Sequence, residues 1–319
     1  MENITIKLIR TLNKFNITYK TMKKIFLLTF VTTTVLSISC QQNLETTTSL
    51  EKSDVTIVVE APQMATRAFG DGTASNDLYY CIYDEAGNPI NEISKISDNN
   101  KETINISKAI DLRLVTGNTY SMIFWADNAD DVCTVDFDNM TMSFNPETAN
   151  QEIYDAFWAY VEPFKVENDM SMTIKLYRPF AQLNIGTNDI EAATDAGMTV
   201  SKSKIVVETP TTLNLKTGAV SNEKSIEYKY EAIPTDEEFP VANYEYLSMN
   251  YLLVGKDKST IDVNFGYTDG TNNYDRKFTY VPVQRNYRTN IFGSILTSSI
   301  DINVVIEPTF NKPDYNVQY

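Results

Sequence analysis

The densest group of side chains able to do chemistry is Asp127-Asn128-Ala129-Asp130-Asp131, followed by Asp136 and Asp138. Carboxylate and carbonyl oxygens at this spacing suit calcium, although the run has neither the glycine nor the closing glutamate of an EF-hand loop. A solvated acidic turn fits the same residues. Three cysteines, Cys40, Cys81 and Cys133, offer one potential disulfide or two buried thiols once Cys40 is set apart. The chain contains no histidine. That removes Ser-His-Asp and Cys-His catalysis, imidazole general bases and every His-ligated metal site. Carboxylates are numerous enough for a glycosidase pair, but no motif marks one. Phosphate-cradling glycine loops and nucleophile elbows are likewise missing, so neither an enzyme activity nor a cofactor or metal is expected. Tyr79, Tyr80, Tyr83, Tyr228, Tyr230, Tyr244, Tyr246 and Tyr251 could stack on sugars or simply fill sheets.

What must position such groups follows from composition. The 319 residues are 42% hydrophobic and 22% charged, enough to bury a core and long enough for two domains. Residues 1–67 hold 8 basic and 5 acidic side chains, leaving 19 basic against 37 acidic in the remainder. A body that acidic repels phosphate backbones, so nucleic acid is excluded as a partner.

The first 40 residues read as an export signal. Met22-Lys23-Lys24 is followed by the short apolar run Ile25–Val31 and by small residues ending at Cys40. Met22 is the expected start, with residues 1–21 an upstream extension. Cys40 closes the segment as in a bacterial lipoprotein signal, where the thiol receives lipid and cleavage falls just before it. Ser37 stands where leucine is usual. Acyl chains, palmitate among them, would hold the protein on outer-membrane lipid without a transmembrane helix. Residues 41–53 are a polar tether.

Beyond the tether the pattern is β. Val55–Glu60, Leu78–Tyr83, Thr119–Ala126, Met170–Tyr177, Ala181–Ile185, Ile205–Glu208, Tyr244–Val254, Ile261–Tyr267, Lys277–Val283 and Ile300–Glu307 are strand-like runs separated by turn signals such as Asp269-Gly270. Helix is expected only around Tyr154–Ala159 and over Asp189–Gly197. Many short strands without intervening helices predict an all-β protein of sandwiches, with domains at 54–190 and 191–319.

Two motifs carry a resemblance. They are Tyr177-Arg178-Pro179-Phe180-Ala181-Gln182-Leu183-Asn184-Ile185-Gly186 and Val281-Pro282-Val283-Gln284-Arg285-Asn286-Tyr287-Arg288-Thr289-Asn290-Ile291-Phe292-Gly293. With Leu78–Asp84, Ser121–Ala126 and the lipoprotein signal, they resemble the fimbrillin-like lipoproteins of Bacteroidales, the group of major and minor (Mfa-type) fimbrillins with their anchor and tip subunits. The resemblance implies two tandem transthyretin-like β-sandwich domains with few short helices. It also implies export as a lipoprotein to the outer membrane and cell surface, and assembly into a fimbrium with other subunits of the group. In that scheme an arginine-specific protease cuts a loop near the N-terminus, the first strand is lost, and a C-terminal strand of the next subunit fills the groove. Here Val55–Glu60 would be the strand removed and Thr66-Arg67-Ala68 the cleavage point.

The alternation of these segments suits that scheme. Val55, Ile57 and Val59 share one face of a strand, and Ile300, Ile302, Val304 and Ile306 share one face of another. Four such side chains are worth a gross ~6–12 kcal/mol on docking. Ile300–Glu307 fits equally well as the last strand of its own second domain, since alternation does not say which sheet a strand joins. Arg67 fits equally an ordinary exposed loop. Arg178 and Arg285, inside the motifs, are expected in ion pairs at strand ends or between domains. A second functional reading is a lipid-anchored module that captures glycan or host protein through loops at the sandwich ends.

Overall fold

The computed structural model describes residues 50–62, 69–73, 75–96, 101–128, 132–297 and 302–307. In chain order, the first strands are β1 (Lys52–Glu60), β2 (Asp77–Tyr83), β3 (Glu102–Thr103), β4 (Ser107–Val115) and β5 (Thr119–Asp127). Then come β6 (Cys133–Asp136), β7 (Thr141–Phe144), a 3-10 turn (Glu152–Tyr154), β8 (Phe157–Lys165), β9 (Met170–Lys175) and β10 (Phe180–Thr187). Helix α1 (Ile190–Asp195) precedes β11 (Lys202–Asn214), β12 (Val220–Ala232), β13 (Glu245–Leu253), β14 (Ser259–Thr268), β15 (Asn273–Val283), β16 (Arg288–Gly293) and β17 (Ile302–Glu307). The fold is all-β with several sheets, consistent with β-sandwich domains.

Two sheets come from the N-terminal half, with strand orders β4-β1-β9 and β3-β2-β5-β8. Between them lies a core of Val55, Ile57, Val59, Leu78, Tyr80, Ile82, Met122 and Phe124. Two further sheets, β13-β10-β16-β17 and β15-β14-β11-β7-β6 with β12 on β11, enclose a second core around Leu183, Ile185, Ile205, Val263 and Phe265. Strand pairing crosses residue 190, because β6, β7 and β10 join the sheets of the later strands. β10 pairs with β13 and β16, and β7 pairs with β11.

A third core joins the two halves. It takes Cys81, Tyr83, Ile123 and Trp125 from β2 and β5, and Phe144, Phe180, Met249 and Tyr251 from the second set of sheets. β2 and β5 are therefore apolar on both faces, which is why Tyr120–Ala126 is buried without a break.

Helix α1 forms where a helix is expected, with Asp189 at its N-cap position but its carboxylate turned to Thr187, Leu296 and Thr297. The other expected helical segment is reduced to a single 3-10 turn, Glu152–Tyr154, and Phe157–Lys165 is a strand. Phe157 and Ala159 enter the core while Trp158 and Tyr160 face the other side, a period-two pattern that overrides the weak helical tendency of the segment.

Candidate strand-exchange site

β1 is the central strand of its sheet. It pairs antiparallel with β4 along all nine residues and parallel with β9 from Val55 to Glu60. Its side chains form apolar rows across three strands: Leu112, Val55 and Met170 in one, Ile110, Ile57 and Met172 in the next. Val55, Ile57 and Val59 are at most 1% exposed. Withdrawing β1 would leave a slot one strand wide, with β4 and β9 ~9–10 Å apart and both presenting unpaired backbone.

The chain leaves β1 through Ala61 and Pro62. After residues 63–68 it returns as Phe69-Gly70-Asp71-Gly72 against the end that it left. Gly72 has φ +86°, and a Cβ there would lie 2.7 Å from the Pro62 carbonyl oxygen, so this close approach needs glycine.

The returning segment is held by side chains from elsewhere. Arg178 is fully buried and forms a bidentate pair with Asp155, its Nε lying 2.9 Å from both carboxylate oxygens. It also donates to the Gly70 carbonyl and lies 4.7 Å from the Phe157 ring centroid. Arg288 donates to the Phe69 carbonyl at 3.0 Å and to Gln182 Oε1 at 2.7 Å. Asn184 continues this buried polar row by donating to Asn290 Oδ1 at 2.9 Å. From the 3-10 turn, Glu152 accepts the Gly70 N–H at 3.0 Å, and Phe69 packs edge-on to Tyr246 at 5.2 Å. Burial pushes the Glu152 carboxyl up to about 7, the Gly70 N–H acting against it. Burial also raises the Asp155 carboxyl, while the Arg178 guanidinium pulls it down.

One arginine from each motif, Arg178 and Arg288, thus reaches the backbone of Phe69 and Gly70. A buried guanidinium without its carboxylate would be costly, so this clamp is well defined only when every member is in place. Arg178 sits in an ion pair, as its sequence context leads one to expect. Arg285 instead donates to the Gly218 carbonyl at 2.6 Å and lies 5.5 Å from the Trp158 ring centroid. Asp155, Glu152 and Arg288 carry no local signal that joins them to residue 70.

At the other end of the chain, β17 pairs with β16 and is the edge strand of its sheet. Ile306 is buried, and Val304 packs half-buried against the second core. Of Ile302 only the backbone, paired with Gly293, is described. Cys40, Arg67, Ala68 and Ile300 lie outside the described residues, as does 308–319.

The other groups singled out in the sequence are dispersed. Asp127 accepts from Trp125 Nε1 at 2.7 Å, and Asp136 accepts from Asn139, while 129–131 are not described. Among the described residues no group of three or more acidic or cysteine side chains is placed to hold a metal. Cys81 and Cys133 are free thiols. Tyr83, Tyr228, Tyr246 and Tyr251 are buried, so they fill sheets and offer no open platform. No helix among the described residues is long and apolar enough to cross a membrane.

Similar solved structures come from Bacteroidales. A fimbrial assembly protein from Parabacteroides distasonis is 15% identical, with a TM-score of 0.43, covering 81% of this chain and 96% of its own. The fimbrial anchor protein Mfa2 from Porphyromonas gingivalis is 10% identical, with a TM-score of 0.45, covering 79% and 97%. A Bacteroides thetaiotaomicron structure described as a candidate polysaccharide-binding protein is 11% identical, with a TM-score of 0.49, covering 80% and 95%. These neighbours are of the kind that the two motifs resemble. No curated protein matches the chain. A model described as a family of unknown function (DUF6562) matches residues 40–319, and the chain belongs to that family.

Proposed function

We propose that the protein is a structural component of the cell surface, a fimbrial subunit or anchor with a role in adhesion, exported as a lipoprotein through Cys40 and joined to its neighbours by strand exchange. It acts at the outer membrane and in the fimbrium, with related subunits as partners. The observation that carries this reading is the position of β1. It is the first strand of the body yet the central strand of its sheet, so one cut behind it frees a complete core strand and leaves the rest of the chain in one piece.

The proposed cut lies between Arg67 and Ala68, immediately before the clamped residues. Arg178, Arg288 and Glu152 would keep Phe69–Gly72 in place while β1 departs. The vacated slot would offer buried apolar surface and two unpaired edges to a donor strand. Ile302–Glu307 is the proposed donor, since at the sheet edge it gives up one ladder of hydrogen bonds rather than two. We propose the two-domain division on the same grounds, one domain accepting a strand and the other lending it.

Mass spectrometry of the protein purified from cells tests this directly. A mature N-terminus at Ala68, together with oligomer ladders that vanish when Ile300–Tyr319 is deleted, is the expected result. An acylated Cys40 with ladders that depend on the C-terminal segment would assign the anchor role. Monomers unaffected by the deletion would overturn assembly by strand exchange.

A further inference from the structure

β8 and β9 are consecutive strands that belong to different sheets. β8 pairs with β5 and β9 with β1. Among the described residues the two segments meet only at one bridge just beyond β9, where Trp158 and Tyr177 exchange backbone hydrogen bonds of 2.9 and 3.0 Å. Beyond that bridge lies an opening lined by residues of both segments. The opening is a groove of ≈ 550 Å³ at the outer surface, within the size range of small-ligand and oligosaccharide sites.

Aromatic rings line one end. Directly paired residues project to one face, so Trp158 and Tyr177 stand side by side, and Tyr160 follows two residues along β8. Tyr177 is 54% exposed, unusual for a tyrosine flanked by core strands. Trp158 is fixed in orientation: its Nε1 donates to the Leu215 carbonyl at 2.8 Å, and Arg285 lies against its ring. A ring held rigid in this way binds a flat apolar surface without first losing rotamer freedom. The C–H face of a pyranose is such a surface.

The charges at the groove are distinctive in an acidic body. Lys216, from the turn between β11 and β12, lines the wall next to Trp158, and Lys175 lies two residues from Tyr177. Neither lysine has an ion-pair partner among the described residues. Glu162 is four residues from Trp158, at the turn end. Two unpaired cations therefore flank the aromatic end, and the single carboxylate lies away from it.

We propose that this groove binds a saccharide chain carrying carboxylates, with Tyr177 and Trp158 stacking on a pyranose ring and Lys175 and Lys216 pairing with the acidic groups. The inference extends the adhesion part of the proposed function. It does not depend on strand exchange, because the groove is complete in a single chain.

The chain has two tryptophans; Trp125 is fully buried and stands directly opposite Trp158 in the β5–β8 pairing, so both contribute to the emission. Ligand-induced quenching of the tryptophan fluorescence of the full-length protein, compared with that of Trp125→Phe, assigns the change to Trp158. The probes are tetragalacturonate and sialyllactose, with maltotetraose as the neutral control. Saturable quenching by at least one acidic probe is expected, weakened by added salt. Tyr177→Ala should weaken it ~5–10-fold, and Lys175→Gln and Lys216→Gln ~2–5-fold each. Tyr177 and both lysines are surface residues, so near-UV circular dichroism should show these variants folded. The proposal is overturned if neither acidic probe binds up to ~10 mM, a range that includes millimolar sites. It is also overturned if maltotetraose binds as well, or if the three variants bind like the parent. Failure of oligomer assembly with intact sugar binding would reject strand exchange alone.

Discussion

β1 and β17 share an alternating apolar pattern, yet the fold treats them differently. β1 is paired on both sides and buries Val55, Ile57 and Val59 almost completely, whereas β17 is paired on one side and leaves Val304 half-buried. A strand held by two ladders leaves a vacancy when lost. A strand held by one ladder at an edge leaves its home sheet largely complete. Vacancy and donor are therefore two different sites, and alternation alone cannot distinguish them.

Deleting residues 50–60 is the largest perturbation of that contrast. Three buried side chains at ~1.5–3 kcal/mol each amount to a gross loss of ~5–9 kcal/mol, comparable with the whole stability of a typical domain. Soluble monomer should disappear, as judged by gel filtration and circular dichroism. Deleting residues 302–319 should leave a folded monomer. Equal losses from both deletions would erase the distinction.

The clamp at the end of β1 comes next. Asp155→Ala strands the fully buried Arg178 and should cost ~3–5 kcal/mol in urea denaturation. A loss below ~1 kcal/mol would show that the pair does not hold the loop.

Ile→Ala substitutions then compare the strands at equal chemistry. Ile57→Ala should cost ~3–4 kcal/mol, and Ile306→Ala, at an edge, ~1–2 kcal/mol, from matched denaturation curves. The reverse order would mean that β17 is the more deeply embedded strand.

Much of this is legible in the sequence and some is not, for physical reasons. β1 is readable because one face alone is buried, so its sequence alternates. β17 shows the same alternation, but nothing in it encodes whether its partner is β16 or another chain. Phe157–Lys165 is misleading because both of its faces carry apolar or aromatic residues at the start, Phe157 and Ala159 on the first core and Trp158 and Tyr160 against the third, which hides the period of two. The clamp is opaque for a different reason. Phe69 and Arg288 are 219 residues apart, and only the folded sheets bring them together. The motif residues Arg178, Gln182, Asn184, Arg288 and Asn290 are of types that ordinarily lie at the surface, yet all are buried.

The smallest effect concerns Glu152 alone. Its carboxyl is raised by burial from 4.5 to about 7, so between those values the folded state holds a proton that the unfolded chain has released. Stability contributed by this group is therefore full below pH 4.5, falls as pH rises toward 7, and levels off above. Glu152→Gln keeps an acceptor for the Gly70 N–H and cannot ionise. It should flatten that slope and raise Tm above pH 7 by no more than ~2–4 °C. A slope identical to the parent in thermal melts across this range would remove Glu152 from the account.

Cutting the purified protein with an arginine-specific protease at Arg67 is the most direct test of an exchangeable β1. Native mass spectrometry would then be followed in the presence of a labelled peptide copying Ile300–Glu307. The fragment carrying β1 should leave the cut chain, the peptide should take its place, and chains without peptide should form ladders. A cut chain that keeps its own β1 fragment, stays monomeric and excludes the peptide would contradict the account.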